Sequence, residues 1–153
     1  PEKLAAFMEA FVNNNKDFKA YIFSQGPIFK KLNTSFSNIG FHSLVDECDL
    51  AELLLRSTIQ VLPQETETSD GSLPSKLPNL LACGCKILCI TDPGSELVRL
   101  LENYTRAKVS HSWQIEELVK SATQLAEFEV EVISDKVLLN KFTKSALVDS
   151  VID

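Results

Sequence analysis

The sequence predicts an α/β fold of the Rossmann-like kind, a three-layer sandwich in which helices cover both faces of a parallel sheet. Short apolar segments typical of strands alternate at least four times with segments of helical periodicity. The connections are short, as in βαβ units, and such units build parallel sheets with right-handed crossovers. With 153 residues, 44% of them hydrophobic, the chain has the size and composition of one soluble domain.

The first half of the chain predicts three helices and three strands in alternation. Residues 1–15 (PEKLAAFMEAFVNNN) place apolar side chains at helical spacing, and the asparagine run suits the helix end. The segment FKAYIFSQGP predicts a strand that ends at Gly26 and Pro27, followed by a short helix over Ile28 to Leu32 and a strand over FSNIGF. A helix over Asp49 to Ser57, with Asp49 as its N-cap, and the buried strand TIQVLP complete this half.

The second half repeats the alternation after a polar loop that runs from Gln64 to Pro74. The predicted elements are a helix over Ser75 to Cys83, a strand over Lys86 to Ile90, a helix over Gly94 to Asn103, an edge strand over Ala107 to Ser110, and helices over about Ile115 to Phe128 and Val130 to Ile152. The pattern therefore continues to the end of the chain.

Charge and composition disfavour several classes of function. The net charge of −6 opposes broad electrostatic binding of nucleic acid or of an anionic membrane. No apolar run reaches the roughly 18 residues of a membrane span. Cys48, Cys83, Cys85 and Cys89 lack the paired spacing of a zinc site, so we expect reduced structural thiols and no metal.

The loop ahead of Ser75 suggests a phosphate site. In open parallel sheets, ligands bind at the carboxyl ends of strands, where loops lead into helix N-termini. Gly71 permits a close backbone approach, Ser72 and Ser75 offer hydroxyl groups, and Ser75 is placed to cap the helix. Lys76 adds a positive charge where free N–H groups and the helix dipole also favour an anion. The alternative is a solvated loop ahead of a capped helix, with Lys76 pointing into water.

The order of these motifs resembles the C-terminal half of family 4 glycosyltransferases. A strand followed by SQGP, then NIGF, DLAELL, VLPQ, SLPSKLPNLLACG and KILCITDPGSELV, follows the order of that family's turn, strand-end and helix motifs. PSKL looks like the exopolysaccharide branch of the family, the colanic-acid type. The resemblance covers nearly the whole chain, from PEK to the final KFTKSALVDSVI.

The resemblance implies a GT-B fold, in which two Rossmann-like domains face each other across a cleft, with residues 1–153 as the single donor-binding domain. It implies retaining transfer of a hexosyl group from a nucleotide-diphosphate sugar to a glycan or lipid-linked acceptor, without metal or other cofactor. It also implies a first strand and an N-terminal acceptor domain that precede Pro1, so the domain alone would be inactive. The implied location is the cytoplasm, including the periphery of the inner membrane, with no nucleic-acid partner and no transmembrane segment in this part.

The resemblance also implies a set of donor-site residues. Lys3 matches the lysine that contacts the donor diphosphate, and we expect it to serve catalysis. Gly26 and Pro27 match the glycine turn at the cleft, and Ser43 and Leu44 fall where the nucleobase packs. The remaining matches are Gly71, Ser72, Ser75 and Lys76 on the diphosphate-facing helix start, and Asn79 where most members have a glutamate that binds the ribose hydroxyls.

The sequence departs from the family at its E-x7-E pattern, because Gly71 and Asn79 stand in place of the two carboxylates. Asparagine can still donate and accept hydrogen bonds to hydroxyl groups. The departure favours a second interpretation, a degenerate, non-catalytic glycosyltransferase-like module that serves protein interaction. Lys3, SQGP and SLPSK favour the enzyme.

Overall fold

Helices and strands alternate along the chain in a computed structural model that describes residues 1–64 and 73–128. The elements are α1 (Glu2–Asn14), β1 (Ala20–Phe23), α2 (Pro27–Ser35), β2 (Ile39–His42), α3 (Glu47–Arg56), β3 (Ile59–Pro63), α4 (Leu77–Ala82), β4 (Lys86–Ile90), α5 (Glu96–Leu101), β5 (Ala107–Ser110) and α6 (Ile115–Glu127). The α/β class predicted from the sequence is confirmed. The helix predicted over Val130 to Ile152 lies outside the described residues.

The strands form two parallel sheets. β1 pairs with β2 in one sheet, and β3, β4 and β5 pair in that order in the other. At the strand starts, Ala20 lies opposite Ile39, and Ile59 lies opposite Lys86. A parallel pair needs a crossover connection, and α2, α4 and α5 supply the crossovers within the two sheets. The parallel pairing predicted from the alternation is present, although it is divided between two sheets.

β4 lies at the centre of the core because its side chains alternate between two apolar clusters. Ile87 and Cys89 pack with side chains of α4 and α5, on what we call the α4–α5 face. Leu88 and Ile90 pack with side chains of α1 and α6, on the α1–α6 face. A parallel strand that is buried on both faces is apolar, which explains the run ILCI that follows Lys86. Helices thus cover both faces and form the three predicted layers.

The starts of α3 and α4 differ from the predictions. Asp46 occupies the N-cap position of α3, so Asp49 lies inside the first turn and is not the N-cap. α4 begins at Leu77, and no side chain caps it, so Ser75 lies before the helix and does not cap it. Pro78 is compatible with this start, because it stands in the first turn, where a missing N–H removes no intrahelical hydrogen bond.

The starts of α2 and α5 are set by glycine turns. Gly94 has a φ of 83°, which is not helical, so the helix predicted from Gly94 begins two residues later. Ser95 caps α5, because its side chain accepts a hydrogen bond from the N–H of Val98. α2 follows Gly26, whose φ is 115°, and it extends to Ser35, beyond the predicted end at Leu32.

Candidate functional site

A groove lies between β1 and β3, where the two sheets approach each other. Every residue of both strands lines it, and its volume is about 1880 Å³. Its apolar lining includes Leu4, Phe7 and Phe11 from α1, and Leu50, Leu53 and Leu54 from α3. We call it the central groove.

Four of the predicted site residues line the central groove, and all four are exposed. They are Lys3 near the start of α1, Leu44 after β2, and Lys76 and Asn79 at the start of α4. α4 follows β3, and α1 leads into β1, so both helices begin at the carboxyl edge of the strands. The fold therefore brings two lysines from distant parts of the sequence to one groove.

The other predicted site residues in the described part of the chain do not line the groove. Gly26, Pro27, Ser43 and Ser75 are all exposed at the surface. The φ of 115° explains why residue 26 is glycine, and a Cβ added there would meet nothing within 4 Å. Gly71 and Ser72 lie outside the described residues.

The start of α4 offers few free amides to an anion. Leu77 donates its N–H to the carbonyl of Pro74 at 3.0 Å, and Leu80 donates to the carbonyl of Lys76 at 3.2 Å. Pro78 has no N–H, so at most the Asn79 amide is left in the first turn. The helix also has only six residues. Leu77 and Pro78 therefore offer no free amide to an anion, and the side chain of Lys76 is the charged group at this helix start.

A polar cluster that the sequence reasoning missed lies at the carboxyl end of β3 and β4. Gln64 lines the groove, and its Oε1 accepts a hydrogen bond from Thr91 Oγ1 at 2.7 Å. Thr91 is buried, and its carbonyl lies 2.8 Å from His111 Nδ1. Ser95 Oγ lies 3.1 Å from Thr91 Oγ1. The sequence does contain a signal for this cluster, because a polar residue directly follows each buried strand: Gln64 follows β3 and Thr91 follows β4. Ligands of open α/β sheets bind at that end of the strands.

Burial makes the thiols of Cys85 and Cys89 unreactive. Burial raises the pKa of the Cys89 thiol to about 12. Burial, with a smaller effect of nearby Cys83, raises the pKa of Cys85 to about 11, against the opposing effect of a hydrogen bond with Ser57. Both thiols stay protonated at neutral pH, so they serve as small core side chains, as the sequence predicts.

Three further observations bear on function. Within residues 1–64 and 73–128, no group of three or more His, Cys, Asp or Glu side chains is placed to hold a metal ion. No helix in that same part of the chain has the length and apolar character needed to span a bilayer.

Comparison of the chain with protein families, with curated proteins and with solved structures finds no match. Function is therefore argued from the groove and its side chains.

Proposed function

We propose that the chain is the nucleotide-sugar-binding domain of a retaining glycosyltransferase. The observation that carries the proposal is that Lys3, Lys76 and Asn79 line one groove at the carboxyl edge of the strands. Open α/β sheets bind their ligands at that edge, in concave sites with a few convergent polar groups. In the full enzyme, an N-terminal domain of the same chain would supply the glycan or lipid-linked acceptor, in the cytoplasm or at the inner-membrane periphery.

Each groove residue has a role that its chemistry suits. Lys3 and Lys76 bind the diphosphate, because an ammonium group is a compact charge with three donors. By neutralising the leaving diphosphate, the two ammonium groups stabilise the transition state for sugar transfer without requiring a metal. Asn79 bonds the ribose hydroxyls, and Leu44, 55% exposed, offers an apolar surface to the base.

Titration of the ¹⁵N-labelled protein with UDP, GDP and ADP tests the proposal. We expect at least one nucleotide, at millimolar concentration, to shift the amide signals near Lys3 and Asn79. Lys76→Ala should weaken diphosphate binding about fivefold, since an exposed charge–charge contact contributes on the order of 1 kcal/mol. It should leave nucleoside binding unchanged.

Lys120→Ala is the matched control, because Lys120 is exposed on α6 and does not line the groove. It should leave both affinities unchanged. Equal losses for diphosphate and nucleoside in Lys76→Ala would remove the proposed anion role. No shift with any of the three nucleotides would contradict donor binding.

A non-catalytic interaction module is the second candidate. One observation favours it: an asparagine stands at position 79, where the family resemblance leads us to expect a glutamate. A failed nucleotide titration would leave this candidate as the better one.

A further inference from the structure

Three aromatic side chains lie together on one face of the β1–β2 sheet. Alternate residues of a strand point to opposite faces, and Ile22 and Ile39 belong to the α1–α6 face. Tyr21 and Phe23 of β1 therefore point to the other face, and so does His42 of β2, which lies opposite Phe23 in the ladder. Among the described residues, neither apolar cluster includes any of these three side chains. They lie outside the core of the protein.

The three rings contact one another and form one layer, which we call the aromatic platform. The ring centroids of Phe23 and His42 are 5.3 Å apart, and the two rings are stacked with 26° between their planes. The Tyr21 centroid is 5.6 Å from that of His42 and 6.4 Å from that of Phe23. Interacting aromatic pairs have separations of about 4.5–7 Å, so contacts among the rings hold the platform in place.

Gly40 leaves room for the platform. It lies opposite Tyr21 in the ladder, and a Cβ added to it would be 2.6 Å from Tyr21 Cδ1 and 3.1 Å from His42 Nε2. Its φ is not in the left-handed region, so the backbone does not require glycine at this position. Glycine weakens a strand and often marks a close approach of another group. Here that group is the Tyr21 ring, which any larger residue at position 40 would displace.

The platform is open to solvent. Tyr21 is 47% exposed, His42 is exposed and Phe23 is half-buried. Exposed ring faces favour a flat ligand with an apolar surface, and the Tyr21 hydroxyl and the His42 nitrogens favour polar groups at its edge. Nucleobases, which stack on the sheet aromatics of RNA-binding domains, have this combination, and so do the pyranose rings of sugars.

Local charge distinguishes these two classes of ligand. A nucleic-acid strand needs cations along its path, because contacts with phosphates supply much of its affinity. The residues of β1 and β2 on this face, which are Tyr21, Phe23, Gly40 and His42, include no Lys or Arg. α3, which follows β2, carries carboxylates in its first turn, and the chain has a net charge of −6. A polyanion is therefore disfavoured here, whereas a neutral sugar meets no such penalty.

The size of the platform disfavours a protein partner. A stable protein interface buries about 800 Å² on each partner, and three partly covered rings of about 150–250 Å² each offer much less. A ligand with two or three flat rings matches the platform better. Tyr21 and Phe23 also line the central groove, so such a ligand could extend from the platform into the groove.

We propose that the aromatic platform is a carbohydrate-binding surface. The rings of Tyr21, Phe23 and His42 stack with the C–H faces of a neutral oligosaccharide, and the Tyr21 hydroxyl and the His42 ring nitrogens bond its hydroxyl groups. The proposal depends on the ring contacts, the glycine and the local charge, and it does not rest on the proposed function.

Titration of the full chain with maltohexaose, cellohexaose and mannohexaose tests the proposal. In ¹³C-edited NMR spectra, we expect at least one of these sugars, at millimolar concentration, to shift the ring signals of Tyr21, Phe23 and His42. Tyr21→Ala should weaken binding about fivefold, whereas Tyr21→Phe, which keeps the ring, should change it by less than about twofold. Phe128→Ala is the matched control, because Phe128 is 48% exposed and lies outside the platform, and it should leave the affinity unchanged.

Every other outcome decides against the platform as a sugar site. No ring shift with any of the three sugars would overturn the proposal, and so would equal losses in Tyr21→Ala and Phe128→Ala. Ring shifts with oligothymidylate alone would identify a nucleic-acid surface instead. If Tyr21→Ala does not fold, Gly40→Ala gives the same test, because its Cβ would displace the Tyr21 ring; retained affinity would contradict the proposal. Nucleotide titration follows the amides near Lys3 and Asn79, so the proposed function succeeds or fails independently.

Discussion

Replacing Tyr104 with phenylalanine removes one hydroxyl group from the core and tests how the α4–α5 face is held together. Tyr104 is 2% exposed, and its hydroxyl donates a hydrogen bond to the carbonyl of Cys85 at 2.8 Å. This bond ties the segment after α5 to the residue that precedes β4. Phenylalanine keeps the ring and its packing but leaves the carbonyl without this donor.

The expected loss of stability follows from the burial of both groups. A typical hydrogen bond contributes about 0.5–1.5 kcal/mol, and a buried acceptor left unsatisfied costs about 1–3 kcal/mol. We therefore expect Tyr104→Phe to lower the free energy of unfolding by about 1–2 kcal/mol and Tm by about 3–6 °C. Urea unfolding followed by the fluorescence of Trp113, the single tryptophan, measures the first quantity.

The chain offers a matched control in its second tyrosine. Tyr21 is 47% exposed, so Tyr21→Phe leaves the site to water and should change stability by less than about 0.5 kcal/mol. Equal effects of the two substitutions would refute the reasoning, because the buried hydroxyl would then contribute no more than an exposed one.

Four further predictions concern the core, the thiols and the groove. Leu118→Ala should lower the free energy of unfolding, measured in urea, by about 2.5–4 kcal/mol, because Leu118 is 0% exposed within the α1–α6 face. A loss below about 1 kcal/mol would contradict that packing. A maleimide at pH 7.5 should label exposed Cys48 within minutes and Cys85 and Cys89 only on unfolding, as mass spectrometry would show. The raised pKa values also give stability a pH dependence. In the unfolded chain the thiols ionise near their ordinary pKa of 9.0, whereas the folded pKa is about 11 for Cys85 and about 12 for Cys89. Stability should therefore fall as the pH rises from about 9 towards these folded pKa values. A urea midpoint that does not change from pH 8 to 11 would contradict this. Asn79→Glu should increase the affinity for UDP about threefold without increasing the affinity for 2′-deoxy-UDP. An equal increase for both nucleotides would exclude a contact with the ribose hydroxyl.

Local sequence patterns predict the bounds of an element correctly where its burial and the turn before it agree. β4 and β5 were predicted with the bounds they have, Lys86–Ile90 and Ala107–Ser110. β4 is apolar after its first residue, and Gly84 (φ 64°) gives the chain a left-handed turn just before it. The prediction for the start of α4 is wrong because a serine ahead of an apolar run is only a candidate cap, and here its side chain makes no capping hydrogen bond.

Strand order and shared surfaces could not be predicted in the same way. The pattern that predicts parallel strands does not show that β1 and β3 leave a groove between them, because pairing depends on contacts between distant residues. The grouping of Lys3 with Lys76 depends on the same topology. The glycosyltransferase resemblance and the roles of its residues stay predictions until a nucleotide titration tests them.

Packing of the first helix against the last described one affects how the protein is made. Phe7 and Phe11 of α1 share a cluster with Leu118 and Leu125 of α6. At roughly 5–20 residues per second, the ribosome needs about 5–20 s to synthesise the chain between them. During that time the aromatic side chains of α1 lack their final cover. We therefore expect a nascent chain of this protein to expose the apolar face of α1 until α6 has been synthesised.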